Sequence, residues 1–167
     1  MPAAGRLRRA TARLAEAQSA KAGYSGTPLP QKLGIRPDHR VALEHPPPGF
    51  EATLGSLPEG VQILPASRGR DFDVILLFVR NLETLEAKLT PAIARMAPAT
   101  ALWICWPKKT SPLASNVDEN KVRERGLAAG IVDIKVCAVD PDWSGLKFVF
   151  RLKDRPALEK KKASKKK

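Results

Sequence analysis

Asp73-Val-Ile-Leu-Leu-Phe-Val79 is an apolar run, followed by a helical pattern over residues 82–96. Ala101-Leu-Trp-Ile-Cys-Trp106 is a second apolar run, halted at Pro107-Lys108-Lys109. A charged helical segment comes next, then Ile131-Val-Asp-Ile-Lys-Val-Cys-Ala-Val139. Strand, helix, strand, helix, strand in that order predicts a parallel sheet with crossover helices. Asp140-Pro-Asp-Trp-Ser-Gly145 is rich in turn residues, and the alternating Leu146-Lys-Phe-Val-Phe-Arg-Leu152 is predicted to return antiparallel. The fold class is therefore α/β: a three-layer, Rossmann-like, mostly parallel sheet with a C-terminal antiparallel hairpin.

Working outward, residues 40–44 and 60–64 are short strand candidates. Thr27 as N-cap with Pro28 at the first helical position predicts a helix over residues 28–33, stopped by Gly34. Between the two strands, His45-Pro-Pro-Pro-Gly49 reads as a stiff extended loop, since three prolines continue neither a ladder nor a helix. A short helix is expected over residues 50–57. Thr90-Pro91 is a potential kink or division in the helix over 82–96, or a second helix start. Asn116 with Glu119 three residues on resembles a capping box for a helix over 117–129. Residues 6–20 carry a thin apolar stripe at helical spacing. The expected organisation is a basic extension over 1–22, one α/β domain over 23–152, and a tail over 153–167.

The net charge of +12 sits mainly in the ends. Residues 1–22 carry +4 and residues 153–167 carry +6, which leaves +2 for the domain between. The lysine-rich end, with Ala and Ser and no aromatic residue, cannot bury a core and is expected to be disordered. Lys160, Lys161, Lys162, Lys165, Lys166 and Lys167 are the candidates for non-specific nucleic-acid contact, because flexible lysines meet phosphates rather than base edges. No window is apolar over the ~18 residues that a membrane helix needs. Cys105 and Cys137 fall inside strand patterns and read as buried thiols of a cytoplasmic protein.

A parallel sheet leaves a crevice at the carboxyl ends of its strands. That edge gathers the candidate ligand-binding residues: His45 and Phe50 after the first strand, Arg80 and Asn81 after the strand at 73–79, and Trp106, Lys108 and Lys109 after the strand at 101–106. Tyr24, in the turn Gly23-Tyr-Ser-Gly26, is a candidate lid residue. Trp103 and Trp106 lie three apart, hence on opposite faces of their strand. Trp103 is expected under a helix; Trp106 either caps the strand end or walls the crevice. Lysines beyond a strand end suit a small anionic ligand. His39 and His45 flank one strand with no carboxylate or thiol cluster, so no metal site is expected.

Residues 73–150, with the helix end Gly126-Leu-Ala-Ala-Gly-Ile-Val-Asp133, resemble the C-terminal half of S-adenosylmethionine-dependent methyltransferases. That resemblance implies a methyltransferase-like fold. The family's glycine-rich cofactor loop would follow the first strand, where this chain has His45-Pro-Pro-Pro-Gly49, and Leu64-Pro65 stands where the family places a ribose-binding acid. A second resemblance covers roughly residues 23–150. Gly23-Tyr-Ser-Gly-Thr-Pro-Leu-Pro-Gln-Lys-Leu-Gly34, Pro47-Pro-Gly-Phe50, Leu102-Trp-Ile-Cys-Trp-Pro-Lys-Lys109 and Trp143-Ser-Gly-Leu-Lys-Phe148 are similar to a small bacterial family of unknown function.

No nucleophile elbow, phosphate loop or zinc-protease helix is present. The favoured reading is a non-enzymatic module that binds a small anionic ligand or a protein partner, with no bound cofactor expected. Two others stand beside it: a nucleic-acid-associated protein acting through its basic ends, and an active S-adenosylmethionine-dependent transferase.

Overall fold

The computed structural model describes residues 27–65 and 71–154. The predicted helix over 6–20, Tyr24 and the lysine-rich tail beyond residue 154 lie outside the described residues.

Helix α1 (Leu29–Leu33) is entered through Pro28, with no side-chain cap, so Thr27 is not the N-cap predicted for it. Gly34 ends it at φ 79°, a left-handed geometry that glycine takes without a Cβ clash. Strand β1 (Arg40–Glu44) matches its prediction. Helix α2 (Phe50–Leu54) is shorter than predicted, because Gly55 leaves helical geometry. Strands β2 (Gln62–Pro65) and β3 (Phe72–Phe78) follow. Helix α3 (Leu82–Ala94) is a single helix that runs through Pro91. The proline removes one backbone bond, but Leu85, Leu89 and Ala92 are buried on both sides of it and hold the helix down.

Strand β4 (Met96–Pro107) leads to helix α4 (Glu119–Ala128). Asp118, not Asn116, caps α4: its carboxylate accepts from the Lys121 N–H at 2.9 Å. The Asn116 amide instead ties this loop to the start of α3, accepting from the Leu82 N–H at 2.8 Å and donating to Glu83. Strands β5 (Ile131–Ala138) and β6 (Trp143–Phe150) form the predicted hairpin, and a 3₁₀ turn (Leu152–Asp154) closes the described chain.

The six strands run in the order β2-β1-β3-β4-β6-β5. The first four are mutually parallel, and β6 is antiparallel to both its neighbours. Insertion of β6 between β4 and β5 leaves β5 as an edge strand that runs in the same direction as β4. Alternate residues of the central strands enter two separate cores. Ile75, Leu77, Leu102, Ile104 and Trp106 face α3 and α4, while Val74, Leu76, Phe78, Trp103 and Cys105 face α1 and α2. The sheet is thus buried on both sides, which is why its strands read as continuous apolar runs. Gly126 sits within α4 for a packing reason: a Cβ there would stand 2.2 Å from the Phe148 ring. No helix among the described residues is long and apolar enough to cross a membrane.

Candidate functional site

The register brings several predicted residues to one edge of the sheet. Glu44 pairs with Leu77, and Phe78 pairs with Cys105. The segments after β1, β3 and β4 therefore leave side by side, with His45, Arg80 and Lys109 exposed among them. The aromatic wall is not there. Phe50 is 2% exposed and Trp106 is 5% exposed. Phe50 meets Phe78 edge-on at 4.7 Å, and Phe78 meets Trp143 edge-on at 5.3 Å. This file of rings fills the layer beneath α1 and α2. Trp106 is buried in the opposite layer with Val79 and Val117. Asn81 is engaged as the N-cap of α3, accepting from the Thr84 N–H at 2.8 Å. At the β1 end the three prolines offer no donors, and the Phe50 and Ala52 N–H groups close turns onto Pro47 and Gly49.

Further along the same edge a groove of about 360 Å³ opens between α1 and the carboxyl end of β5. Gln31 and Lys32 form one wall, Lys135 the other, and Cys137 with Ala138 the floor. Each piece has a local cause. Helix α1 is pinned over the sheet by Trp103, whose indole N–H donates to the Leu33 carbonyl at 3.0 Å, deep in the core. That anchor fixes the adjacent Lys32, which is only 8% exposed. Lys135 reaches this face through a bulge. Asp133 pairs with Phe148 and Lys135 with Lys147, consecutive residues of β6, so Ile134 is the extra residue. Asp133 consequently faces α4, where it accepts from Arg123 at 2.9 Å, and Lys135 turns to the α1 side.

Three more cations belong to the same electrostatic cluster. Lys108, half-buried at the end of β4, interacts electrostatically with Lys32 and with Cys137. Lys147 interacts with Lys135 and Arg36, and its ammonium lies against Gly34. Burial is the foremost cause that lowers the affinity of Lys32, Lys108 and Lys147 for their protons below that of an ordinary lysine. Neighbouring cations lower Lys32 and Lys147 further, Cys137 opposes the shift at Lys32, and Asp142 with Cys137 opposes it at Lys108. Burial likewise raises the Cys137 thiol, against the pull of Lys32, Lys135 and Lys108. Both cysteines are free. Among the described residues no group of three or more His, Cys, Asp or Glu is placed to hold a metal ion.

Of the residues predicted from the sequence only Lys108 is tied to this groove, through its interaction with Lys32, while Lys32, Lys135 and Lys147 were not among them. Lys32 looks like any helix residue, and strict alternation would put Lys135 on the face of Asp133. Tyr24 lies outside the described residues.

A family model described as a protein of unknown function (DUF3052) matches residues 59–152, a narrower span than the motifs suggested. No curated protein sequence matches the chain. Among solved structures the chain is similar to TrmN from Thermus thermophilus, at 14% identity and TM-score 0.49, covering 74% of this chain and 47% of that one. It is similar to fibrillarin from Aeropyrum pernix, crystallised with natively bound S-adenosyl-L-methionine, at 12% identity and TM-score 0.48, covering 80% and 73%. A methyltransferase dependent on the same cofactor from Aquifex aeolicus gives 18% identity and TM-score 0.46, covering 71% and 85%. These likenesses concern the fold.

Proposed function

The chain belongs to the DUF3052 family of proteins of unknown function, and from that premise we propose that it is a binding module for a small anionic ligand, not a methyl-transferring enzyme. The observation that carries this reading is the groove at the β5 end, of about 360 Å³, lined by Lys32 from α1 and Lys135 from β5. Lysines held by a helix and a strand keep their charge in place, and the burial of Lys32 strengthens its attraction for an anion.

The residues after β1 do not fit S-adenosylmethionine in the mode that the methyltransferase resemblance implies. Pro46, Pro47 and Pro48 carry no N–H, and the Phe50, Ala52 and Thr53 N–H groups beyond them close turns onto Pro47 and Gly49. Phe50 fills the space beneath the loop.

The test is thermal unfolding of the full chain with phosphate, citrate or S-adenosylmethionine at equal ionic strength. An anion stabilises only if it binds the folded state better than the unfolded chain, so lysines that are equally available in both states do not confound the readout. Phosphate or citrate raises Tm, and Lys32→Gln with Lys135→Gln removes the gain. S-adenosylmethionine at millimolar concentration gives no gain and no heat by calorimetry. A micromolar dissociation constant for it, or no response to any anion, overturns the reading.

A further inference from the structure

We propose that the ligand of the groove is a small molecule bearing a phosphoryl group, held between Lys32 and Lys135 within the positive field of Lys108 and Lys147. The proposal rests on the groove reading above and narrows it to one chemistry.

The cations arrive from four elements. Lys32 comes from α1, Lys108 from the end of β4, Lys135 from β5 and Lys147 from β6. Lys32 and Lys135 line the groove itself, while Lys108 interacts electrostatically with Lys32 and Lys147 with Lys135. An ammonium is a compact point charge with three donors, and a set of them suits a tetrahedral anion whose oxygens point several ways. A planar carboxylate is better matched by the rigid fork of an arginine. Both charged residues in the described lining are lysines, and no carboxylate is among the described lining residues. Arg36 interacts with Lys147, and no arginine is among the described lining residues.

Charge count points the same way. Lys32 interacts with both Lys135 and Lys108, and Lys135 with Lys147. Asp142 offsets part of the like-charge repulsion at Lys108, and a dianion relieves more of what remains than a monoanion does. The volume of about 360 Å³ is near the lower end for ligand pockets. It leaves room for a phosphate and a short substituent, with Cys137 and Ala138 as the apolar surface the substituent would touch. Gln31 adds a neutral amide at the rim.

The experiment is residue-resolved NMR of the isotope-labelled full chain, titrated at constant ionic strength with inorganic pyrophosphate, citrate, acetate or a short oligothymidylate. Pyrophosphate is expected to shift the amide signals of Gln31, Lys32 and residues 135–138 in a saturable way. Citrate, with comparable charge but carboxylate geometry, is expected to bind there at least about tenfold more weakly. Lys135→Gln, at an exposed edge-strand position that leaves the core intact, is expected to weaken pyrophosphate about tenfold. Citrate equal to pyrophosphate would overturn the phosphoryl assignment and leave anion binding standing. Oligothymidylate tighter than pyrophosphate at these same signals would overturn the small-molecule assignment. No movement of the groove signals with any anion would overturn both this proposal and the function it refines.

Discussion

The carboxyl edge of the sheet has two ends, and they are built in opposite ways. At β1 the chain leaves through three prolines, and the space below is filled by Phe50, Phe78 and Trp143. At β5 the chain leaves past a bulge, and the space is left open between α1 and the strand, with lysines on both walls. The crevice rule for α/β sheets holds for the edge as a whole. Which part of the edge is available depends on side-chain volume. Three aromatic rings close one end, while at the other the small side chains of Cys137 and Ala138 line an open space between β5 and α1. A site can therefore shift along an edge by several strands with the topology unchanged.

The sharpest way to break this contrast is Phe50→Ala. If the β1 end is core, truncation should cost about 3–5 kcal/mol of stability, the range for a buried phenylalanine. Chemical unfolding measures it. A cost below ~1 kcal/mol would mean that the ring is a ligand wall and that the crevice is open where we find it closed. Anion binding by the folded fraction should not change, because the groove lies on the far side of β3 and β4.

Trp103→Phe probes the connection between the two ends. It removes the indole donor from a buried carbonyl, which should cost about 1–3 kcal/mol. Leu33 accepts that bond, and Lys32 precedes it. The loss should therefore loosen one wall of the groove and weaken phosphate binding several-fold, read by titration at matched folded fraction. Unaltered affinity would mean that α1 is positioned by Leu33 and Ile35 packing alone.

Much of this was legible in the sequence. Continuous apolar runs gave the sheet, because strands buried on both faces carry no alternation to obscure them. Trp103 and Trp106 fall on opposite faces, as their spacing requires. The place of Lys108 just beyond a strand end was legible from Pro107. The rest depended on tertiary facts with no local signature. The bulge at Ile134 reverses the face of every residue after it, so Lys135 and Cys137 reach the α1 layer only once pairing with β6 is known. Aromatic residues near a strand end read equally well as wall or as core, and only burial decides. Asn116 had a capping partner at the right spacing, yet Asp118 is nearer the first helical turn and its charge suits the helix N-terminus better.

Lys108 and Lys109 sharpen the lateral shift. Had the site lain at the β1 end, both would serve alike. Here Lys108 is half-buried and linked electrostatically to Lys32, while Lys109 is exposed. Lys108→Ala should weaken phosphate binding several-fold, and Lys109→Ala should leave it within about twofold. Stability in the second variant should stay within about 0.5 kcal/mol, as for other surface changes. Equal losses from the two substitutions would return the site to the strand ends after β1, β3 and β4.

The smallest effect expected is a pH dependence whose sign is set by buried ammonium groups. Lys32, Lys108 and Lys147 hold their protons less tightly than ordinary lysines, first because of burial. Anion binding needs the charged forms, so affinity should be full at neutral pH and decline as pH rises, beginning below the usual lysine range near ~10.4. Stability without ligand should move the other way. With the folded-state values lowered, the unfolded chain binds more protons across that window, and stability rises with pH. The opposite slopes separate a groove effect from general alkaline unfolding, which would lower both. Comparison of wild type with Lys32→Gln isolates the contribution of the most buried lysine, and a several-fold smaller pH effect is expected in the variant. The Cys137 thiol is the competing explanation, since a thiolate in the floor would also repel an anion. Burial raises that thiol, which defers its ionisation, and Cys137→Ala should leave the decline in place. If the decline disappears with the thiol, the lysines are not the titrating groups, and the positive field at the β5 end is weaker than its geometry suggests.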